Sequence, residues 1–516
     1  MRLLKNIFIG VVGVLFLITV GCVNTEKNAV KIEDTRSLDI ELTNQIDTQI
    51  ASAMAKLKVV SGISIAVYSE QGTYTNAFGV VDVETQEPAT ADSAFYVASS
   101  TKSMVAVVMA ILHERGVINL DSTLSEFAPD ANFPAEVQPT KVTLRHLLAQ
   151  SSGLINLPIQ NRLAFTGQYS SEILWGLLAQ TKVNTKEPMG TFNYTNYNYN
   201  ILTMLVEHKL NKSWKEILTD EIFDKVGMDR TSAYISKAEN EQWSLARPHT
   251  TLDKNSPKRT YLEKTDVTMQ SAGGVIMSAK DAAKWLEIII QQGKYQNTQV
   301  IPKAAIQATL KPNVTVNRKF ADYTRDYYGL GWYIGTYKEK PFIHHFGGFS
   351  GTRAHVSFMP NSKVGVVVFV NGDGVGFKFA DIVANYLYGL FEDPNQAKYK
   401  FEQDVADLAN WRDKMQAKVI ARKEQLSQRQ WKLNLPFEKY LGTYTNSLYG
   451  SFEVSLKQQA LLFEAGNLHA IATPYIIPNS VRVELVPGSG EAIVFSLNSN
   501  NNVSNLTYQG SIFNKD

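Results

Sequence analysis

Cysteine is nearly absent from this sequence. The 516 residues include one, Cys22, so no intrachain disulfide can form and no cysteine-based zinc site can be built. Charge of either sign is not in excess: 51 Lys and Arg stand against 49 Asp and Glu, and no basic run interrupts the chain. Nucleic-acid backbones are held by clustered Lys and Arg, so no nucleic-acid partner is expected. Histidine is sparse. Of the eight, only His344 and His345 adjoin, and neighbours on a strand point to opposite faces, which makes them a poor metal clamp. Internal repeats are missing as well.

What remains is a globular composition, 44% hydrophobic and 19% charged, in a chain long enough for two or three domains. The first apolar stretch, residues 7–20, follows Arg2 and Lys5 and is short for a membrane span but right for a signal segment. It ends at Thr19-Val20-Gly21-Cys22, which resembles a bacterial lipobox, with Thr19 departing from the usual Leu. The reading is a lipoprotein-type signal over residues 1–22, lipidation at Cys22, and a polar tether over 23–44. This predicts an exported protein of a bacterial cell envelope, anchored in a membrane by lipid and facing the periplasm or the exterior.

Residues 45–395 alternate strand and helix signals. Ser64-Ile65-Ala66-Val67-Tyr68 reads as a strand, as do residues 352–359 and 364–370, which flank a Pro360-Asn361 turn. Residues 105–113 are apolar almost all round, as in a buried helix. Strands at both ends with helices between predict one α+β domain whose terminal segments meet in a sheet. Residues 396–434 carry Val405, Leu408, Trp411, Met415 and Val419 at helical spacing and read as a helical linker. Residues 435–516 alternate apolar and polar positions, as at Phe452, Val454 and Leu456, and predict a small all-β, barrel-like domain.

Ser99 and Lys102 stand three apart at the start of the apolar helix, so the hydroxyl and the amine can meet on one face. A serine hydroxyl needs a base, and a desolvated lysine, or one near positive groups, can be neutral enough to serve. Ser-x-x-Lys is common by chance. This one is the only match in the chain, and a lysine in an all-apolar helix needs a reason to be there.

Tyr96-Val97-Ala98-Ser99-Ser100-Thr101-Lys102 resembles the first motif of the class C β-lactamase and D,D-peptidase superfamily, the penicillin-binding serine hydrolases. Phe78-Gly79-Val80-Val81-Asp82, Thr143-Leu144-Arg145-His146-Leu147-Leu148, Ser151-Ser152-Gly153-Leu154 and Ala272-Gly273-Gly274 are similar to further stretches of that family in the same order. The family's Tyr-x-Asn motif has four matches here, at Tyr74, Tyr194, Tyr295 and Tyr444. Flanks and order select Tyr194-Thr195-Asn196. The resemblance implies that Tyr194 shares proton transfer with Ser99, its phenol needing a positive neighbour to titrate low enough, and that Asn196 bonds Lys102 and the substrate. His345-Phe346-Gly347 resembles the third motif. It implies His345 in place of a cationic lysine, Gly347 leaving room for the substrate backbone, and the Gly348 N–H joining that of Ser99 as an oxyanion donor. Phe346, where a small residue is common, is expected to narrow the site, and His344 to be structural. Leu435-Pro436-Phe437-Glu438-Lys439-Tyr440-Leu441-Gly442-Thr443-Tyr444 resembles the entry to the lipocalin-like β-domain of some members, a domain expected to cover the site, restrict substrates or mediate assembly.

The resemblance thus implies acyl transfer through an acyl-enzyme on Ser99, for which no metal or organic cofactor is needed. A peptidase, amidase or esterase acting on small D-amino-acid peptides or esters is the favoured reading, with β-lactamase activity secondary because an imidazole is mostly neutral at pH 7. The alternative is a penicillin-binding sensor or receptor lipoprotein that deacylates slowly. Oligomeric state is left open.

Overall fold

The structure, a computed structural model, describes residues 37–252 and 256–516. Cys22 and the signal and tether features before residue 37 lie outside the described residues. Packing begins earlier than the expected tether boundary. Leu38 is buried, Asp39 caps helix α1 (Ile40–Leu57) through its carboxylate, and Ile46, Ile50, Ala53 and Leu57 pack inward at helical spacing. The tether reading through residue 44 is therefore corrected: the domain is entered by residue 38.

Helix α1 leads into β1 (Gly62–Ser69), β2 (Gly72–Asp82) and the short β3 (Glu87–Pro88). The helical part follows, with α2 (Thr101–Glu114), α3 (Asn196–Leu210) and α4 (Ala279–Ile290) as its longer helices. The chain then returns to the sheet through β4 (Val314–Phe320), β5 (Tyr323–Tyr328), β6 (Tyr333–Tyr337), β7 (Lys340–His344), β8 (Gly347–Phe349), β9 (Thr352–Met359) and β10 (Val364–Val370). The sheet runs β4-β5-β6-β7-β9-β10-β1-β2-β3, with β8 added beside β9, and all its pairs are antiparallel. The terminal segments do meet, Ile65 opposite Val368.

Every residue of β1, β9 and β10 is buried, which is why these strands read as continuous apolar runs. Their side chains alternate between two cores. Ile63, Ile65, Val67, Val366, Val368 and Val370 face α1 and helix α5 (Val375–Leu390). Ala66, Tyr68, Val367 and Phe369 face the core that holds α2 and α4. Helix α2 is buried from Thr101 to Leu112, on all sides.

The expected linker is a single 34-residue helix, α6 (Pro394–Ser427). Only its first half is packed, through Ala397, Phe401, Val405, Leu408 and Ala409. Arg412 donates to the carbonyls of Lys56 and Leu57 (3.1 and 2.6 Å), satisfying the open C-terminus of α1. No helix among the described residues is long and apolar enough to cross a membrane.

The C-terminal sheet has nine antiparallel strands: β11 (Gly442–Asn446), β12 (Gly450–Lys457), β13 (Ala460–Ala465), β14 (Leu468–Ile471), β15 (Thr473–Pro474), β16 (Ser480–Val483), β17 (Glu491–Leu497), β18 (Val503–Tyr508) and β19 (Ser511–Lys515). Their order is β14-β13-β12-β11-β19-β18-β17-β16-β15. The two outermost strands are separated in sequence only by Ala472, so the sheet curls until its edges nearly meet. The result is a nearly closed barrel around Phe452, Phe463, Phe495 and Phe513.

The barrel is seated on the preceding domain by main-chain contacts. Arg162 donates to the Leu448 carbonyl (2.8 Å), Gln168 exchanges two bonds with Ser451 (3.0 and 3.1 Å), and the Asn467 N–H donates to the Thr166 carbonyl (3.0 Å). Gly466 is obligatory here, since its φ is +58° and a Cβ would lie 1.8 Å from the Thr166 oxygen. The barrel's apolar core also reaches across the seam to Phe165 and Phe349.

Candidate active site

Ser99 sits in a tight turn, residues 98–100, that feeds α2. Ala98 holds a φ of +45°, which L-residues seldom adopt, and this turns the chain so that Ser99 alone of residues 93–103 is not fully buried. One helical turn on, the Lys102 amine is completely enclosed. It lies 3.2 Å from Ser99 Oγ, 2.9 Å from Asn196 Oδ1 and 2.6 Å from the Ala272 carbonyl. Two of these partners can only accept. A neutral amine has two N–H bonds for them and one lone pair, which is left for the Ser99 hydroxyl. Burial holds the Lys102 pKa well below that of a free lysine, with no cationic neighbour required.

Asn196 is the first residue of α3, whose cap is the Thr195 hydroxyl. The stretch before it is propped by Gln150. Its Oε1 accepts from the Thr195 N–H (3.0 Å) and Asn198 Nδ2 (2.8 Å), and its carbonyl accepts from the Asn193 N–H (2.7 Å). The 143–154 stretch thus acts as a brace for Tyr194 and Asn196. Tyr194 keeps 37% of its surface exposed, yet the protein packed around it desolvates the phenol. That burial, with Tyr333 beside it, pushes the phenol up, while a bond with Ser99 and the charge of Arg325 pull it down less strongly. The expected lowering of this pKa is therefore not what the structure holds. Tyr194 is a neutral phenol beside Ser99, with the Lys102 amine over its ring at 4.8 Å.

The other Tyr-x-Asn matches lie elsewhere. Tyr74 and Asn76 both bond the Asp47 carboxylate and tie β2 to α1, and Tyr444 is packed inside the barrel.

The third motif reaches Ser99 through backbone contacts. Ser100 Oγ donates to the His345 carbonyl at 2.7 Å. A Cβ on Gly347 would fall 2.0 Å from the Val97 carbonyl and 3.1 Å from the Ser99 nitrogen, so only glycine lets β8 approach the nucleophile turn. Gly348 is exposed, its would-be Cβ meeting only Phe377. His345 is enclosed, between the Phe346 carbonyl (3.0 Å) and the Tyr328 hydroxyl (3.2 Å). Burial, Lys102 and Arg325 together hold its pKa well below the usual value, so it is neutral and supplies no charge. Phe346 does more than narrow the site: its ring stacks on His344 (4.1 Å) and packs against His355 (4.3 Å) beneath the strand.

Sequence reasoning missed the charge that the site does carry. A cavity of about 290 Å³ beside the nucleophile is lined by Tyr194, His345 and Gly348 together with Arg318, Arg325 and Arg353. Arg318 pairs with Glu187 and Arg353 with Asp381. Arg325 has no carboxylate partner among the described residues. It is held by the faces of Tyr333 (4.0 Å) and Phe320 (4.2 Å) and by a bond from its Nε to His344 Nε2 (3.3 Å). His344, taken as structural, therefore positions this cation.

A buried Ser–His–Asp chain was also missed. Asp381 bonds His355 Nδ1 (2.8 Å), and His355 Nε2 meets Ser357 Oγ (2.8 Å). It has the connectivity of a catalytic triad, yet Ser357 and His355 are wholly buried and Ser357 also meets the Tyr388 hydroxyl. No substrate reaches it. Ser357→Ala is expected to leave kcat/KM within about twofold of wild type while costing about 1 kcal/mol of stability, measured by denaturant unfolding.

A family model described as Beta-lactamase matches residues 47–387. The chain belongs to the beta-lactamase family. It is similar to an unguisins hydrolase of Aspergillus violaceofuscus, 23% identical over 465 residues that make up 84% of this chain and 79% of the relative. Other curated relatives are matched over between about three fifths and 85% of their own length. Among solved structures, the octameric penicillin-binding protein homologue from Pyrococcus abyssi is similar over 92% of this chain and 100% of its own, at 21% identity and a TM-score of 0.57. The D-amino acid amidase from Ochrobactrum anthropi SV3 is similar over 71% and 99%, at 18% identity and a TM-score of 0.55. These likenesses agree with the observed architecture of a beta-lactamase domain followed by a barrel, and membership of the family makes the chain a serine hydrolase homologue.

Proposed function

We propose that this beta-lactamase family member is an amidase or peptidase working through an acyl-enzyme on Ser99, releasing a leaving group that carries a carboxylate. The observation that carries the reading is the enclosed Lys102 amine, whose two acceptor contacts leave its lone pair to Ser99. Lys102 takes the Ser99 proton as the oxygen attacks the substrate carbonyl. The N–H groups of Ser99 and Gly348 hold the oxyanion that forms. Tyr194, a neutral phenol, gives its proton to the departing nitrogen and recovers one from the Lys102 ammonium. Water then releases the acyl group by the reverse route.

Because Tyr194 serves the leaving group, the cavity it lines is the leaving-group side, and Arg325 there favours a carboxylate. The similarity to an amidase acting on D-amino acids and to a hydrolase of unguisins supports amide chemistry. D-amino-acid amides and peptides are accordingly the first class to try. The proposal keeps the exported, lipid-anchored setting read from Cys22, which rests on the sequence alone.

The test is acid-quenched intact mass after mixing the full chain with an N-acyl-D-alanyl peptide and, separately, with an activated ester. An acyl adduct that maps to the Ser99 peptide and decays as product accumulates is expected. No adduct and no turnover with either would overturn the reading. A lasting adduct without turnover would replace it by the slowly deacylating receptor.

A further inference from the structure

A second cavity, distinct in its lining from the arginine cavity, shares Asn196 with the catalytic groups and is not used by the mechanism above. It measures about 330 Å³ and lies between residues 157–166 of the catalytic domain and the mouth of the barrel. Its walls are largely apolar: Leu157 and Phe165 on one side, Phe452, Leu468 and Phe513 on the other, with Asn196 at the point where it meets the catalytic groups. Asn196, whose Oδ1 accepts from Lys102, is thus shared between this cavity and the nucleophile's hydrogen-bond set.

We infer that the barrel mouth is the acyl-side subsite, binding an apolar, aliphatic or aryl-terminated acyl group of the substrate. The inference rests on the hydrolase reading. A carbonyl attacked by Ser99 sends its two substituents to opposite sides. The proton donor Tyr194 and the cation Arg325 line one cavity, which takes the leaving group. The cavity containing Asn196 without Tyr194 then receives the acyl portion. Its size is at the low end of the ~300–1,000 Å³ usual for small-molecule sites, enough for a side chain or short acyl chain and too small for a polymer. Its position is fixed by the seating contacts of Arg162, Gln168 and Asn467 with the barrel, which hold both walls in register. The two domains therefore divide substrate recognition, the barrel reading the acyl group and the sheet edge the leaving group.

The experiment compares kcat/KM for p-nitrophenyl acetate, butyrate, octanoate and 4-phenylbutyrate. It uses the full-length wild type, Ser511→Trp, which projects an indole into the cavity from the barrel wall, and Leu157→Trp, which does so from the opposite wall. Wild type is expected to favour octanoate and phenylbutyrate over acetate by at least ~30-fold, and each tryptophan to cut that ratio about tenfold or more. Thermal unfolding verifies that each variant is folded. Ser99-dependent turnover with a flat chain-length profile, or a ratio unmoved in both variants, overturns the subsite and leaves the hydrolase standing. Calorimetric titration of 4-phenylbutyramide into Ser99→Ala and Ser99→Ala/Ser511→Trp reads the cavity without turnover. Weaker binding to the double variant supports the subsite, and equal binding overturns it even if the hydrolase reading has failed.

Discussion

Lys102→Met is expected to lower kcat/KM by about 10³-fold on amide substrates, the usual scale for removing a positioned general base. Methionine keeps the length and removes the amine, so Ser99 stays in place with nothing to take its proton. The pH profile separates this from a packing defect. Activity needs the neutral amine, and burial has lowered the Lys102 pKa. kcat/KM should therefore rise with pH through that lowered pKa and level off well before the range in which a free lysine titrates. Lys102→Met should lose the rise altogether, its residual rate being flat over the same interval. A surviving rise of the same midpoint would assign the base to another group. His345 is a poor candidate for it, since its ring is already neutral and both its nitrogens are occupied.

Arg325→Gln should cost about 30- to 100-fold in kcat/KM for substrates whose leaving group bears a carboxylate, the worth of a charge-assisted contact of about 2–3 kcal/mol. The loss should fall on KM, because a carboxylate is held alike in the ground and transition states. The same peptide with its C-terminus amidated should change by no more than about threefold. Arg325→Lys should restore part of the preference, as a point charge without the planar fork. Equal losses on both substrates would make Arg325 a structural residue, and the carboxylate would have to be dropped from the proposed substrate.

The parts of the site that were legible in the sequence are those set by local spacing. Ser99 and Lys102 share a face because they are three apart on a helix, and the sheet strands announced themselves as apolar runs because both their faces are covered. Tyr194 and Asn196 could be chosen from four matches only by order and flanks. What was not legible depends on register across long separations. Arg325 enters the site because its side chain bonds His344 of β7, one residue before His345, across the β5-β6-β7 ladder. Nothing around Arg325 in the sequence distinguishes it from a solvated arginine. Ala272 serves Lys102 through its carbonyl, a group every residue has. The start of α1 is hard to see in the sequence: Ile46, Ile50, Ala53 and Leu57 carry the helical period, but the first turn, residues 40–44, is not buried and looks like more tether.

Strand β19 is the last of the described strands in sequence and the fifth of nine in the barrel, flanked by β11 and β18. Ser511 and Phe513 on it also line the cavity beside Asn196. On a ribosome, the nucleophile helix emerges some four hundred residues before this strand does. The barrel is until then two separate ribbons with unpaired edges. Ser99 can thus be assembled with Lys102 while this wall of the cavity does not yet exist. Under the proposed division of recognition, a chain that stops before Ser511 would lack one wall of the acyl-side cavity even with Ser99 and Lys102 in place.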